Sequence, residues 1–136
     1  MKFVSDFNSS DPNNFSDNGE IAISSGQSTI IAGFELSVSQ ENSNVVLKGT
    51  SGIQSFLGLA NVILNIFRNN DSIGSVQIST VAVNELNVES FNFIDIGPSI
   101  GIHTYTLTAE LVNPLPEEIV IIKTFTFTGK TITPAF

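Results

Sequence analysis

From residue 20 onward, apolar and polar residues alternate with a period of two, a spacing that suits strands and rules out a helical fold. Phe34, Leu36 and Val38 are separated by Glu35 and Ser37. Val62, Leu64 and Ile66 are interleaved with Ile63 and Asn65, and Val76 and Ile78 flank Gln77. Tyr105, Leu107, Ala109 and Leu111 alternate with Thr106, Thr108 and Glu110, and Phe125 and Phe127 stand among Thr124, Thr126 and Thr128. Such alternation turns one face of a strand to a core and the other to solvent or a partner.

Turn-forming clusters punctuate these runs: Ser25-Gly26, the stretch from Gln40 to Asn44, Asn69-Asn70-Asp71, Gly97-Pro98 and the stretch from Asn113 to Pro116. The punctuation predicts strands near 20–24, 28–39, 44–53, 58–68, 73–82, 84–94, 102–112 and 119–128, with a short further segment at 130–133. The expected fold is all-β, an antiparallel two-sheet jelly-roll sandwich of about eight strands. An immunoglobulin-type sandwich is the alternative, but its usual Cys and Trp are missing from a chain with neither residue.

Residues 1–19 differ in kind, being mostly Asp, Asn and Ser from Ser5 to Gly19, with Pro12 among them. They are read as an extended N-terminal segment, and residues 20–136 as the sandwich domain. The composition fits a disordered tail, while Phe3, Val4, Phe7 and Phe15, unusual in a tail that only meets solvent, fit a segment that docks on this subunit or connects to a neighbouring one; the sequence leaves both readings open. Two strand details point to further contact surfaces. In Ile119-Val120-Ile121-Ile122 both faces are apolar, and the sequence reading gives Val120 and Ile122 to a partner. The strand at 84–94 changes parity between Val88 and Phe91, which predicts a bulge near Ser90.

Chemistry is harder to place. His103 is the single histidine of a chain with no cysteine, so one subunit cannot supply a nitrogen- or sulfur-rich metal site. Three copies of His103 meeting at a trimer axis would be needed, and an ordinary strand histidine is the simpler reading. A triad of His103, Asp95 and a serine lacks the strained turn that exposes a nucleophile. Glu117 and Glu118 are adjacent in a Pro-bearing loop, where side chains diverge rather than face each other across a cleft. The oxygen-rich stretch from Asp11 to Glu20 departs from the spacing of an EF-hand, and calcium there stays an open question. No catalytic residue, metal or cofactor is assigned, and the expected protein is not an enzyme.

Charge narrows the partners. The chain has 136 residues and a formal charge of −8, from 13 acidic and five basic residues. Lys2, Lys48, Arg68, Lys123 and Lys130 are scattered in sequence, so neither nucleic acid nor an anionic membrane is an expected partner. The first residues lack the apolar run of a signal peptide, and export by the general secretory route is not expected.

The stretch from Phe91 to Leu107, with Phe93, Gly97, Pro98, Gly101, His103 and Tyr105, together with Val62 to Gly74, resembles jelly-roll proteins of the outer spore surface of endospore-forming bacteria. These include exosporium and appendage subunits, whose heads are similar to the tumour-necrosis-factor and complement globular-head superfamily. The resemblance implies a homotrimer with Tyr105 on a strand lining the subunit interface. It also implies residence on a spore surface, made in the mother cell without a signal peptide. Together with the residue-level reading, the expected role is a self-assembling structural subunit of a spore layer or fibre. Its partners would be itself, as a trimer or filament, and other spore-surface proteins; the expected interface residues are Phe3, Val4, Phe7, Phe15, Tyr105, Val120 and Ile122. The rival role is a receptor- or carbohydrate-binding head, such as a phage fibre or adhesin module.

Overall fold

The computed structural model describes residues 2–10, 20–112 and 118–134. These form β1 (Lys2–Ser9), β2 (Glu20–Ser24), β3 (Ser28–Val38), β4 (Asn44–Ser55), β5 (Asn61–Arg68), β6 (Asp71–Ser79), β7 (Asn87–Ile96), β8 (Gly101–Leu111) and β9 (Ile119–Pro134). All pairing is antiparallel. In the first sheet β9 lies between β4 and the pair β1 and β2, with β7 outside β4. The second sheet runs β3-β8-β5-β6. From β2 onward every connection except the β5–β6 hairpin passes from one sheet to the other. That pattern is a jelly roll, as the alternation and strand spacing predict.

The core fills the space between the sheets with the period-two apolar residues. Leu36, Leu47, Ile53, Leu64, Leu107 and Phe127 are fully buried. Phe127 packs 4.9 Å from Phe34 and 6.3 Å from Phe91, ring centroid to centroid. Two glycines make room for these rings. A Cβ at Gly129 would lie 2.7 Å from both Phe34 and Leu36, and one at Gly49 would run into the Phe91 ring. Any larger residue forces the aromatic layer apart.

β9 spans the whole sheet, and β1 and β2 share its outer edge end to end. Lys2–Ser9 pairs with Thr128–Pro134, and Glu20–Ser24 with Ile119–Lys123. β9 carries one extra residue against β4: Thr50 faces Thr126 while Ser51 faces Thr124. This bulge reverses the parity of β9 midway. Val120 and Ile122 point inward before it, and Phe127 points inward after it. No bulge occurs near Ser90. β4 and β7 stay in register from Asn44 against Ile96 to Ile53 against Asn87. The apparent parity change has a simpler cause, since Leu86 precedes the strand and Val88 lies on its exposed outer face.

The first residues do not stand apart from the sandwich. β1 is hydrogen-bonded into the sheet of its own chain, and it also ties that sheet to the edge of β3. Asp6 Oδ2 accepts from the Ser37 amide at 2.8 Å, and Ser10 Oγ accepts from the Gly33 amide at 3.0 Å. Asn8 Nδ2 donates to the Glu35 carbonyl at 3.0 Å. β1 therefore blunts an edge strand that would otherwise offer free backbone groups.

Candidate functional site

Residues directly opposite each other in an antiparallel pair share a face, so register alone assigns the outer surface of each sheet. On the first sheet Val4 stands beside Ile132, then Asn44 and Ile96. In the next row Phe7 stands beside Lys130, then Val46 and Ile94. Val4, Phe7, Ile94 and Ile96 are 52%, 60%, 54% and 80% exposed, and Val46 and Ile132 are half-buried between them. Four strands thus place six apolar side chains on one end of one face.

The same register sorts the charges. Lys2, Lys48, Lys123 and Lys130 all take outward positions on the first sheet, which gathers every lysine of the chain on one face. Among residues whose side chains are described, no acid lies on this face; Glu20 takes the register position opposite Lys123. The fifth basic residue, Arg68, is committed to Asp95 in an ion pair at 2.6 Å. The outer face of the second sheet carries Glu35 and Glu110, and no basic residue among those described. A chain of net −8 is therefore two-sided, with a lysine face backed by an acidic one.

The second sheet's outer face also holds a shallow groove of about 260 Å³ lined by Ile30, Phe67, Asn69, Asn70, Thr106 and Thr108. Thr108 Oγ1, buried in its wall, has no hydrogen-bond partner among the described residues. A more open hollow of about 400 Å³ lies between Glu41-Asn42 and Gly97 to Ile100.

Between the sheets, one end of the sandwich is polar. Asp95 takes Arg68 on Oδ1 and the Tyr105 hydroxyl on Oδ2 at 2.7 Å. Burial, then the hydrogen bond to Asp95, pushes the Tyr105 phenol well above its ordinary pKa. The hydrogen bond to Asp95 likewise raises Arg68. His103 is buried, with Nε2 2.7 Å from the Ser99 carbonyl and Nδ1 3.1 Å from Asn69 Nδ2. That geometry suits the Nε2–H tautomer, donating to Ser99 and accepting from Asn69. With both ring nitrogens engaged, His103 is a structural residue that pins the β8 start and the Asn69 turn, and the trimer-axis metal is set aside. Among the described residues no cluster of three or more metal-ligating side chains occurs.

The expected interface residues divide sharply. Phe3, Val4 and Phe7 are exposed on β1, as an interface requires. Tyr105, Val120 and Ile122 are fully buried in the core of their own subunit and have no surface to offer another chain. For Val120 and Ile122 the cause is the β9 bulge, which exchanges the two faces of the Ile119–Ile122 run; Ile119, 48% exposed, and half-buried Ile121 are the outward ones. Tyr105 shares the inward face of β8 with Leu107 and Ala109, and its hydroxyl is bonded to Asp95. Phe15 and most of the calcium-candidate stretch lie outside the described residues. Sequence reading missed Ile94 and Ile96, although their alternation with Phe93 and Asp95 marks them as outward once the strand runs in register to residue 96.

No protein family matches the sequence, and no characterised protein does. Among solved structures the chain is similar to an insecticidal delta-endotoxin of Bacillus thuringiensis, at 10% identity and a TM-score of 0.49. That match covers 85% of this chain but only 20% of the toxin. It is also similar to the carbohydrate-binding module TmCBM61, solved in complex with beta-1,4-galactotriose, at 12% identity and a TM-score of 0.44 over 94% of this chain and 86% of the module. A third, the carbohydrate-binding module CBM4, matches at 9% identity and a TM-score of 0.44 over 99% of this chain and 95% of that one.

Proposed function

We propose that the chain is a non-catalytic structural subunit that assembles with copies of itself. The observation that supports this reading is the apolar end of the first sheet's outer face, where Val4, Phe7, Ile94 and Ile96 are all at least half exposed. A side chain left half in water gains roughly 1 kcal/mol when covered, so the four together contribute about 4 kcal/mol before the cost of association. That is too little for micromolar binding alone, and the remaining contacts must come from the polar surface around them. Light scattering coupled to size exclusion at about 100 µM, well above a micromolar Kd, tests the reading. Wild-type protein is expected to run as an oligomer, and the variant carrying Ile94→Asp and Ile96→Asp as a folded monomer. A wild-type monomer at that concentration would remove the proposal.

The spore-surface setting belongs to the same proposal and is supported by the sequence resemblance. Antibody against the chain should decorate the outside of intact spores; unlabelled spores would leave the setting without support.

A second reading is favoured by the groove on the second sheet. Phe67 beside the amides of Asn69 and Asn70 and the Thr108 hydroxyl is the mix of apolar and hydrogen-bonding groups that a neutral sugar ring meets. A glycan array, followed by titration of any hit against Phe67→Ala, separates the readings. Saturable binding lost in that variant would favour a carbohydrate-binding module.

A further inference from the structure

We infer that copies of this chain stack face to back, the lysine-bearing outer face of the first sheet resting on the acidic outer face of the second sheet of the next copy. This rests on the self-assembly reading above and names the two surfaces that meet.

Charge complementarity is the first argument. The lysines are on one face of the sandwich, and Glu35 and Glu110 are on the other. Glu35 faces Thr104, so the two acids are separated by about six residues along β8, roughly 20 Å. Lys2 faces Pro134 and Lys48 faces Thr128, six residues apart along β9 and roughly 20 Å, so both faces spread their charges over a similar length. Two lysine faces brought together would repel, as would two acidic ones. Like-charge juxtaposition costs several kcal/mol, which disfavours a two-fold dimer through either face. Only the unlike pairing satisfies both.

Apolar shape is the second argument. The lysine face projects Phe7, Ile94 and Ile96 beyond the strands, while the acidic face is hollowed between Ile30 and Phe67. A projecting side chain entering that hollow would cover Ile30, which is 54% exposed.

Size is the third. Four strands about 4.8 Å apart and about eight residues long give a face of roughly 500 Å², so stacking covers about 1,000 Å² in total, the lower limit for specific association. The contact is heterologous, with each copy using two different surfaces. It therefore leaves one lysine face and one acidic face open at the ends and propagates instead of closing.

Charge reversal on each face, singly and mixed, tests this. One variant carries Lys2→Glu, Lys48→Glu and Lys130→Glu, the other Glu35→Lys and Glu110→Lys; if the second fails to fold by circular dichroism, Glu35→Lys with Gln77→Lys reverses the same face. Each variant alone presents two like-charged faces and is expected to lose self-association by at least about tenfold in apparent Kd. Mixed one to one, the reversed faces complement each other, and assembly should return to within about threefold of wild type. If both single-face variants assemble as wild type does, or if the mixture of two dissociated variants stays dissociated, the stacking is wrong although self-assembly stands. If wild type itself is a monomer, both fall. If a neutral oligosaccharide binds a monomeric wild type at Phe67, the acidic face belongs to a sugar and not to a second copy.

Discussion

Tyr105 is the only tyrosine in a chain without tryptophan, and it is fully buried against Asp95. Its phenol titrates above the ordinary value of about 10 while folded and near 10 when unfolded. Raised folded-state pKa means that the unfolded chain releases its proton first, so the contribution to stability is complete below about pH 10 and is lost as pH climbs beyond it. Absorbance at the tyrosinate band should therefore rise together with loss of circular dichroism, in one transition well above pH 10. A phenol that titrates near pH 10 with the fold intact would contradict the burial described here. Close packing makes an equally local prediction at Gly129. Its missing Cβ leaves room for Phe34 and Leu36, and Gly129→Ala should cost about 1–3 kcal/mol in urea unfolding. A variant as stable as wild type would show that the aromatic layer can shift freely.

Among the elements, β1 contributes through hydrogen bonds more than through burial. All its residues but Asp6 are exposed, yet it closes the β9 edge from Thr128 to Pro134 and satisfies the Ser37 amide. Removing residues 1–10 should leave the strand content measured by circular dichroism nearly unchanged but lower the melting temperature and raise aggregation, because an open edge invites pairing. Unchanged melting and solubility would mean that β1 adds nothing. Most strands could be read from alternation because a half-buried strand writes its two faces directly into the residue pattern. β9 could not be read so directly. Thr-Phe-Thr-Phe-Thr looks like unbroken alternation, and the extra residue beside Thr124 is visible only against the partner strand. Carrying that parity backward puts Val120 and Ile122 outside, although they are core residues. β1 was hidden for another reason: an edge strand with exposed side chains on both faces has no apolar period to show.

At the scale of the whole molecule, the sidedness of charge could not be found along the sequence, where Lys2, Lys48 and the pair Lys123 and Lys130 lie tens of residues apart. Pairing of β1, β9 and β4 gathers them, and pairing of β3 with β8 puts Glu35 and Glu110 on the opposite face. If charge pairing drives association, the oligomer should weaken as salt rises from about 0.1 M, where the Debye length is about 10 Å, to about 1 M, where it is about 3 Å. Oligomers that are indifferent to salt would instead assign the contact to the isoleucines alone. The position of β9 has a temporal consequence as well. The final strand of the jelly roll stands between β4 and the first two strands, so a ribosome delivers the centre of this sheet after both its flanks. Until β9 has emerged, β1 and β2 have no strand to join and β4 has only β7, so the nascent domain must wait with part of its interior uncovered.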